Sequence, residues 1–514
     1  MDIPKEESAM RALSITLLAV LMGATFFALW SLLSTQPFGH DEAVYLAKAR
    51  SWIDGSPANE FGVYRPIGMA AFGWFFLQFG DTESTVRIFG ALFSALGIGI
   101  IFLFFKRLAN VWAALAVAVV VATSTLFLRE APQFLNDIPS SILLIASMWI
   151  IFVHFLSAGK SNIIYLAAPV AALAFYLRYG VVMAFLVIAG VSYLVLLPRF
   201  LKKDGVDFTR LGKTVLLFAA LLVPHILHSI VTTQSFFGIL RLGEDIAGRK
   251  YLGEGLVTYL EWLPGQLGGW VLEGAAILGI LATLVILFIP KLRRAHGALL
   301  WTGSIGLYTF FLTGLLVHAE ARYVFFPLVL LAGTGILSIY YFFEQWSKMA
   351  AHAAMAIVVL GSLYAGSAHY RETELFYAGK ETDVYRLAYL EAADALKADS
   401  GSNGCSLWAI TTYRPALAWY SKCNTYSVTT KARFERDRAF NPEKKMYSIV
   451  LTKVSGGQLD AEIATEFGAS LSEVFRSSNS GYRGDLIVYR IDEMMPSPTM
   501  IPNTLLSTTT ATST

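Results

Sequence analysis

Leu13–Leu33 reads LSITLLAVLMGATFFALWSLL, a run of twenty-one residues without a charge. An α-helix needs about 20 apolar residues to cross roughly 30 Å of hydrocarbon with its backbone hydrogen bonds closed internally. The run is too long for the apolar core of a cleavable signal peptide and has no small-residue cleavage site, so it is expected to persist as a helix. Working outward, similar windows follow near Val86–Phe105, Val111–Leu128, Ile138–Phe155, Ile163–Leu177 and Val181–Leu197. Five more lie near Val215–Val231, Val271–Ile289, Leu299–Val317, Val324–Phe343 and Ala350–Ala365. The expected fold is a polytopic α-helical membrane protein with about eleven transmembrane helices.

Composition agrees. Of the 514 residues 55% are hydrophobic and 15% charged, far from the roughly one-quarter charged residues of a soluble domain. The formal net charge of +3 does not point to nucleic acid, because the basic residues are dispersed over loops and form no groove-reading patch.

Alternate loops are basic, which sets an orientation, since short basic loops stay on the cytoplasmic side. With the N-terminus cytoplasmic, the inner loops hold Lys106 and Arg107, then Lys160, then Arg199, Lys202, Lys203, Arg210 and Lys213, then Lys291, Arg293 and Arg294, and finally Lys348. The opposite loops carry Asp41, Glu42, Asp54, Glu60, Asp81 and Glu83. An odd number of crossings of the cell membrane puts everything beyond about Ala365 outside. The domains expected are a membrane domain over 1–366, a soluble extracytoplasmic domain over 367–495 and a low-complexity, disordered tail over 496–514.

The first external stretch, Ser34–Thr85, is longer than a connection needs, and function concentrates on such loops. Within it Ala43–Ile53 has the spacing of a short amphipathic helix lying on the membrane surface. Asp41 and Glu42 precede it. They could be helix N-terminal acids favoured by the macrodipole, or one could project into a bundle cavity as a general base.

Three segments carry a resemblance: His40-Asp41-Glu42-Ala43-Val44-Tyr45, Arg65-Pro66-Ile67-Gly68, and Phe79-Gly80-Asp81-Thr82-Glu83-Ser84-Thr85-Val86-Arg87-Ile88. Their order resembles the polyprenyl-phosphate-dependent GT-C glycosyltransferases, in the protein O-mannosyltransferase and aminoarabinose transferase branch. Leu135-Asn136-Asp137-Ile138-Pro139 is similar to that family's acidic residue at the outer end of the fourth helix, and Arg322-Tyr323 before Pro327 to its Arg-Tyr followed by proline. The resemblance implies sugar transfer from a polyprenyl-phosphate-linked donor to a glycan, lipid or protein acceptor by direct displacement with inversion.

A sugar on a lipid phosphate departs from a stable anion, so the chemistry asks for a base and for positive charge, not for a strong acid. Asp41 is the candidate base, with Glu42 as its catalytic neighbour and a possible metal or acceptor ligand. Arg65, Arg178, His318 and Arg322 are candidates to meet the phosphate, Arg322 first among them, with Tyr323 beside it. Arg178 is the only charge between Ile163 and Leu197, so it marks either a tight external turn or a polar contact in a cavity. Asp137 could pair with Arg129 or contact substrate. Together with Asp41 it could also hold a divalent metal ion, the one cofactor considered.

The resemblance implies that the loop Thr232–Gly269 lies over the site and moves when substrates bind. Its glycines, including Gly238, Gly243, Gly248, Gly253 and Gly255, permit movement or a passive loop, and it carries Glu244-Asp245 and Arg249-Lys250. His225 and His228, beside Pro224, could face a metal or sit satisfied in the bundle.

Beyond Ala365 a small α/β layer structure is expected: a helix over Thr382–Lys397, a strand over Ser406–Thr411, a helix over Pro415–Ser421, and strands over Thr425–Val428, Tyr447–Thr452 and Asp485–Ile491. Cys405 opens one strand and Cys423 precedes the next, its parallel neighbour, which favours a disulfide outside the cell. Two free buried thiols are the alternative. Competing functions are a transporter or flippase of lipid-linked sugars, which would place ionisable groups deep in helices, and a scaffold whose external domain binds a partner.

Overall fold

The computed structural model describes residues 5–32, 38–56, 58, 61–156, 161–196, 208–246, 251–263, 265–377, 384–401, 404–409, 414–426, 444–451, 469–477 and 484–494. The chain forms two compact units, 1–56 with 61–382, and 57–60 with 383–514. The expected tail lies outside the described residues, as do Arg249 and Lys250 and the side chains of Glu244 and Asp245.

The first unit is helical: α1 (Lys5–Ser31), α2 (His40–Asp54), α3 (Ile67–Leu77), α4 (Glu83–Leu108), α5 (Val111–Ala122), α6 (Thr125–Glu130), α7 (Asp137–Leu156), α8 (Ala167–Leu177) and α9 (Val181–Val191). It continues with α10 (Phe208–Thr233), α11 (Gly238–Ile246), α12 (Glu254–Trp262), α13 (Trp270–Phe288), α14 (Pro290–Ala295), α15 (Gly297–Leu316), α16 (Phe325–Glu344) and α17 (Lys348–Tyr377).

Eight helices among the described residues are long and apolar enough to cross a membrane: α1, α4, α7, α10, α13, α15, α17 and α16 extended back to Ala321. The remaining three expected windows hold shorter helices. The Val111–Leu128 window breaks at Thr123-Ser124, where Ser124 Oγ accepts from Phe127 N at 3.3 Å and so starts α6. Ile163–Leu177 begins as a 3₁₀ turn, and Val181–Leu197 ends in a π turn.

The external stretch also differs from expectation. α2 is not a surface helix: Ala43, Val44, Tyr45, Leu46, Ala47 and Ala49 are buried, and only Trp52, Ile53 and Asp54 at its end are exposed. α3 was not anticipated, being an apolar helix too short to span. It presses on the end of α8, for a Cβ on Gly68 would come within 2.6 Å of the Tyr176 carbonyl oxygen. α13 and α16 meet through glycines as well: a Cβ on Gly279 would fall on the Leu331 carbonyl, and one on Gly335 on the Ala275 carbonyl. Without a hydrophobic drive between helices in lipid, such close backbone approach supplies the packing.

The expected domain junction at 366/367 falls inside α17, which runs on to Tyr377. The change of composition there marks the end of the apolar face, not the end of the helix.

The second unit has α18 (Val384–Ser400), β1 (Cys405–Ala409), α19 (Arg414–Ser421), β2 (Asn424–Tyr426), β3 (Lys445–Leu451), β4 (Ala469–Ser477) and β5 (Leu486–Met494). The sheet order is β2-β1-β3-β5-β4. β1 pairs in parallel with β2 and β3, and β5 runs antiparallel to β3 and β4. Its core packs Ala388, Tyr389, Ala392 and Leu396 of α18 on Leu407, Tyr447, Ile449 and Val488 of the sheet. Cys405 and Cys423 form a disulfide with Cα atoms 4.7 Å apart, at the aligned ends of the two parallel neighbours.

Candidate active site

Asp41 and Glu42 are adjacent in the first turn of α2, and a helix turns about 100° per residue, so they face different surroundings. Glu42 is 1% exposed. Arg87 of α4 grips it bidentately, Nε to Oε1 at 2.9 Å and Nη2 to Oε2 at 2.8 Å. Phe134 N donates to Oε1 and Gly39 N to Oε2, each at 2.9 Å. Burial raises the Glu42 carboxyl, but Arg87 and the two amides more than offset it, holding the group at about 2. Glu42 thus ties three segments together, and it is not among the residues that line the cavity beside Asp41.

Asp41 lines a cavity of about 530 Å³ with Arg65, Asp137, Arg178, His318, Arg322 and Tyr323. All the predicted site residues except Glu42 thus converge, from segments as distant in sequence as α2 and the 3₁₀ turn Ala321–Val324. Five of the charges alternate as a chain. Arg65 Nη1 donates to Asp41 Oδ1 at 3.0 Å, and Arg322 Nη2 to Asp41 Oδ2 at 2.9 Å. Arg322 Nε lies 3.6 Å from Asp137 Oδ2, and Arg178 Nη1 2.7 Å from Asp137 Oδ1. The alternative pairing of Asp137 with Arg129 is not the one formed.

Tyr323 organises the cations: Arg178 sits over its ring at 4.3 Å and Arg322 at 5.6 Å, while His318 meets it edge-on at 5.3 Å. Burial raises the Asp41 carboxyl, and the Arg322 and Arg65 guanidiniums outweigh it, bringing the group down to about 2. Glu130, at the end of α6, behaves oppositely. Burial pushes it up to about 7, with Arg322 offsetting only part of the effect.

Asp41 and Asp137 were candidates for a metal pair. Arg322 instead lies between them, Nη2 2.9 Å from Asp41 Oδ2 and Nε 3.6 Å from Asp137 Oδ2, so a guanidinium charge stands where a divalent ion bridging the pair would have to sit. Among the described residues no three His, Cys, Asp or Glu side chains gather to hold a metal. His225 packs against the rings of Phe175 and Tyr179, and His228 Nδ1 lies 3.4 Å from Thr232 Oγ1.

The sequence reading missed Arg241. It is exposed on α11, lines the cavity, and makes no ion pair with any described side chain. The sign available in the sequence was the segment itself, Gly238–Ile246, where Arg241 lies among Ile239, Leu240 and Leu242 in a marked amphipathic pattern. Tyr259 of α12 was missed too. Its hydroxyl donates to Glu320 O at 3.1 Å and accepts from Glu320 N at 3.2 Å, fixing the turn that carries Arg322.

The fold is a GT-C-like bundle of membrane helices, with a small sheet in the C-terminal unit. In particular, residues 64–228 match the family model of dolichyl-phosphate-mannose-protein mannosyltransferase. The structure is similar to ArnT from Cupriavidus metallidurans in the apo state, with a TM-score of 0.63 at 13% identity over 92% of this chain and 97% of that one. The same protein bound to undecaprenyl phosphate gives 0.63 at 14% identity, over 92% and 97% of the two chains. The archaeal oligosaccharyltransferase AglB from Archaeoglobus fulgidus, in complex with an inhibitory peptide and a dolichol-phosphate, gives 0.58 at 11% identity, over 90% of this chain and 73% of that one. No curated protein matches the sequence.

Proposed function

We propose that the membrane unit transfers a sugar from a polyprenyl-phosphate carrier to an acceptor on the extracytoplasmic face by direct displacement with inversion. The observation that carries this reading is Asp41 clasped between Arg65 and Arg322 in a cavity whose wall also includes Leu144, Val182, Ala184, Ile239, Leu240 and Phe326. The apolar wall suits a prenyl chain and the charged part suits its phosphate and sugar.

In the reaction, an acceptor hydroxyl or similar nucleophile attacks the anomeric carbon and loses its proton to Asp41. The bond from that carbon to the phosphate oxygen breaks, and its electron pair leaves with the phosphate. Arg241 and Arg322, supported by Arg65, Arg178 and His318, meet the growing phosphate charge, and Tyr323 keeps the guanidiniums aligned. Carrier phosphates bound by ArnT and AglB support the donor class. A glycan, lipid or protein serves as acceptor, and the second unit helps to select it.

The alternation of basic loops supports a cytoplasmic N-terminus. The Cys405–Cys423 disulfide supports an oxidising, extracytoplasmic surrounding for the second unit. The test is a nanodisc preparation given a radiolabelled undecaprenyl-phosphate sugar and membrane extract as acceptor source. Transfer of label should fall about 100-fold or more in Asp41→Asn with the fold retained. Label that crosses a liposome bilayer with its lipid bond intact would show a flippase and sink the enzyme reading.

A further inference from the structure

Resting on that reading, we infer that the donor's sugar is uncharged, and in particular carries no ammonium group. Among the described residues the cavity wall presents four guanidiniums, Arg65, Arg178, Arg241 and Arg322, against two carboxylates, Asp41 and Asp137, a surplus of two positive charges before any histidine is counted. Both carboxylates already face guanidiniums: Asp41 accepts hydrogen bonds from Arg65 and Arg322, and Asp137 lies 2.7 Å from Arg178 and 3.6 Å from Arg322. One surplus charge belongs to the chain of three arginines and two aspartates, and the other is Arg241. Among the described residues Glu130 and Glu320 do not line the cavity, and Glu320 is itself 3.6 Å from Arg322.

A glycosyl phosphodiester brings one negative charge and leaves one positive charge unmatched. Cleavage puts the second charge on the departing phosphate while the acceptor's proton neutralises Asp41, so the guanidiniums that had paired with Asp41 are free to face the phosphate and the total charge of the site is unchanged. An ammonium on the sugar would meet no free carboxylate and would add to the surplus in a partly desolvated space, where unit charges several ångströms apart interact strongly. A carboxylate on the sugar would consume the cation that the leaving phosphate needs. An uncharged sugar alone leaves the electrostatic gain for the bond-breaking step.

The experiment uses the full chain in nanodiscs at pH 7 and measures displacement of radiolabelled undecaprenyl phosphate by three undecaprenyl-phosphate sugars. These carry glucose, 4-amino-4-deoxyglucose and 4-acetamido-4-deoxyglucose. The amine is nearly the size of the hydroxyl it replaces, and the acetamide is larger but neutral. The amino sugar should bind about tenfold or more weakly than both neutral donors, and Arg241→Gln should narrow that gap.

Equal or tighter binding of the amino sugar overturns the inference, as does a gap untouched by Arg241→Gln. A glucuronosyl donor that outcompetes the glucosyl one also overturns it. If undecaprenyl phosphate itself does not bind, the reading of the cavity as a carrier-lipid site fails with it, and that result is distinct because it precedes any comparison of sugars.

Discussion

Replacing each of the adjacent acids by its amide should separate stability from chemistry. Glu42 receives four donors on two oxygens, two from Arg87 and one each from Phe134 N and Gly39 N. Glu42→Gln places an amide NH₂ where at least one of those donors already points, and strips the charge that compensates Arg87, itself 2% exposed. Its carboxyl lies at about 2 instead of its ordinary 4.5, a displacement equivalent to about 3 kcal/mol at 1.36 kcal/mol per pH unit. Breaking one side of a buried pair costs a similar 3–5 kcal/mol, roughly. Because the folded value is depressed, this stability is present above about 4.5 and is lost as pH falls from there toward 2. Asp41, by contrast, is 27% exposed at its side chain, so Asp41→Asn should cost about 1 kcal/mol or less while transfer falls about 100-fold or more. The assay is intrinsic tryptophan fluorescence during heating and denaturant titration, run beside transfer of radiolabelled sugar. A Glu42→Gln protein that melts like the parent, or an Asp41→Asn protein that both folds and transfers, would refute the division of labour.

Arg241→Ala should raise the Kd for undecaprenyl phosphate roughly tenfold, as loss of one charge-assisted contact of 1.5 kcal/mol or so implies. Melting should be unchanged, because Arg241 is exposed, and equilibrium binding of radiolabelled lipid reads the effect. Tyr259→Phe removes both hydrogen bonds to the Glu320 backbone; it should cost about 1–2 kcal/mol and lower kcat by loosening Arg322, with Tyr259→Ala lower still. Cys405→Ser should destabilise the second unit by about 3 kcal/mol, the loop-closure value for a separation of 18 residues, read as increased proteolysis of the full chain within that unit. The acidic limb of kcat should sit at higher pH than that of kcat/KM, since the bound donor's phosphate draws Arg322 from Asp41; coincident limbs would show that the clasp does not open.

How much was readable in advance follows from what each feature depends on. Apolar windows depend only on local composition, and so α1, α4, α7, α10, α13, α15, α16 and α17 were legible. The break at Thr123-Ser124 and the burial of α2 depend on neighbours, and a period of 3.6 residues cannot distinguish a membrane surface from a protein interior. β4 escaped because bulges between Ser470 and Leu471 and between Glu473 and Phe475 shift its pairing with β5, so the alternation that marks a strand is broken twice. In the site, charged residues in external segments pointed to Asp41, Asp137, Arg178 and Arg322, but their pairing was not legible. Nothing in the Asp-Glu dipeptide says which acid turns inward; Arg87 and Phe134, 45 and 92 residues away, decide it. Glu130 is raised to about 7 by burial, with Asp137 adding to it and Arg322 opposing it, and no local pattern in the sequence signals that.

The clasp on Asp41 bears directly on its proposed role as a base. A carboxylate held at about 2 by two guanidiniums is a weak proton acceptor, so a site that kept both partners throughout would be poorly suited to activate an alcohol. Arg322 is shared between Asp41 and Asp137, at 2.9 Å and 3.6 Å, and its Nε makes no hydrogen bond. A phosphate oxygen presented to that guanidinium competes with Asp41 for the same protons, and each proton it takes makes the carboxylate more basic. The donor's own negative charge acts in the same direction. Donor binding and activation of the base are then one event, and an acceptor that arrives before the donor meets an aspartate too weakly basic to deprotonate it. The same exchange explains why two aspartates and three arginines are strung as a chain: moving one guanidinium by a short distance redistributes charge along it without leaving any buried group uncompensated.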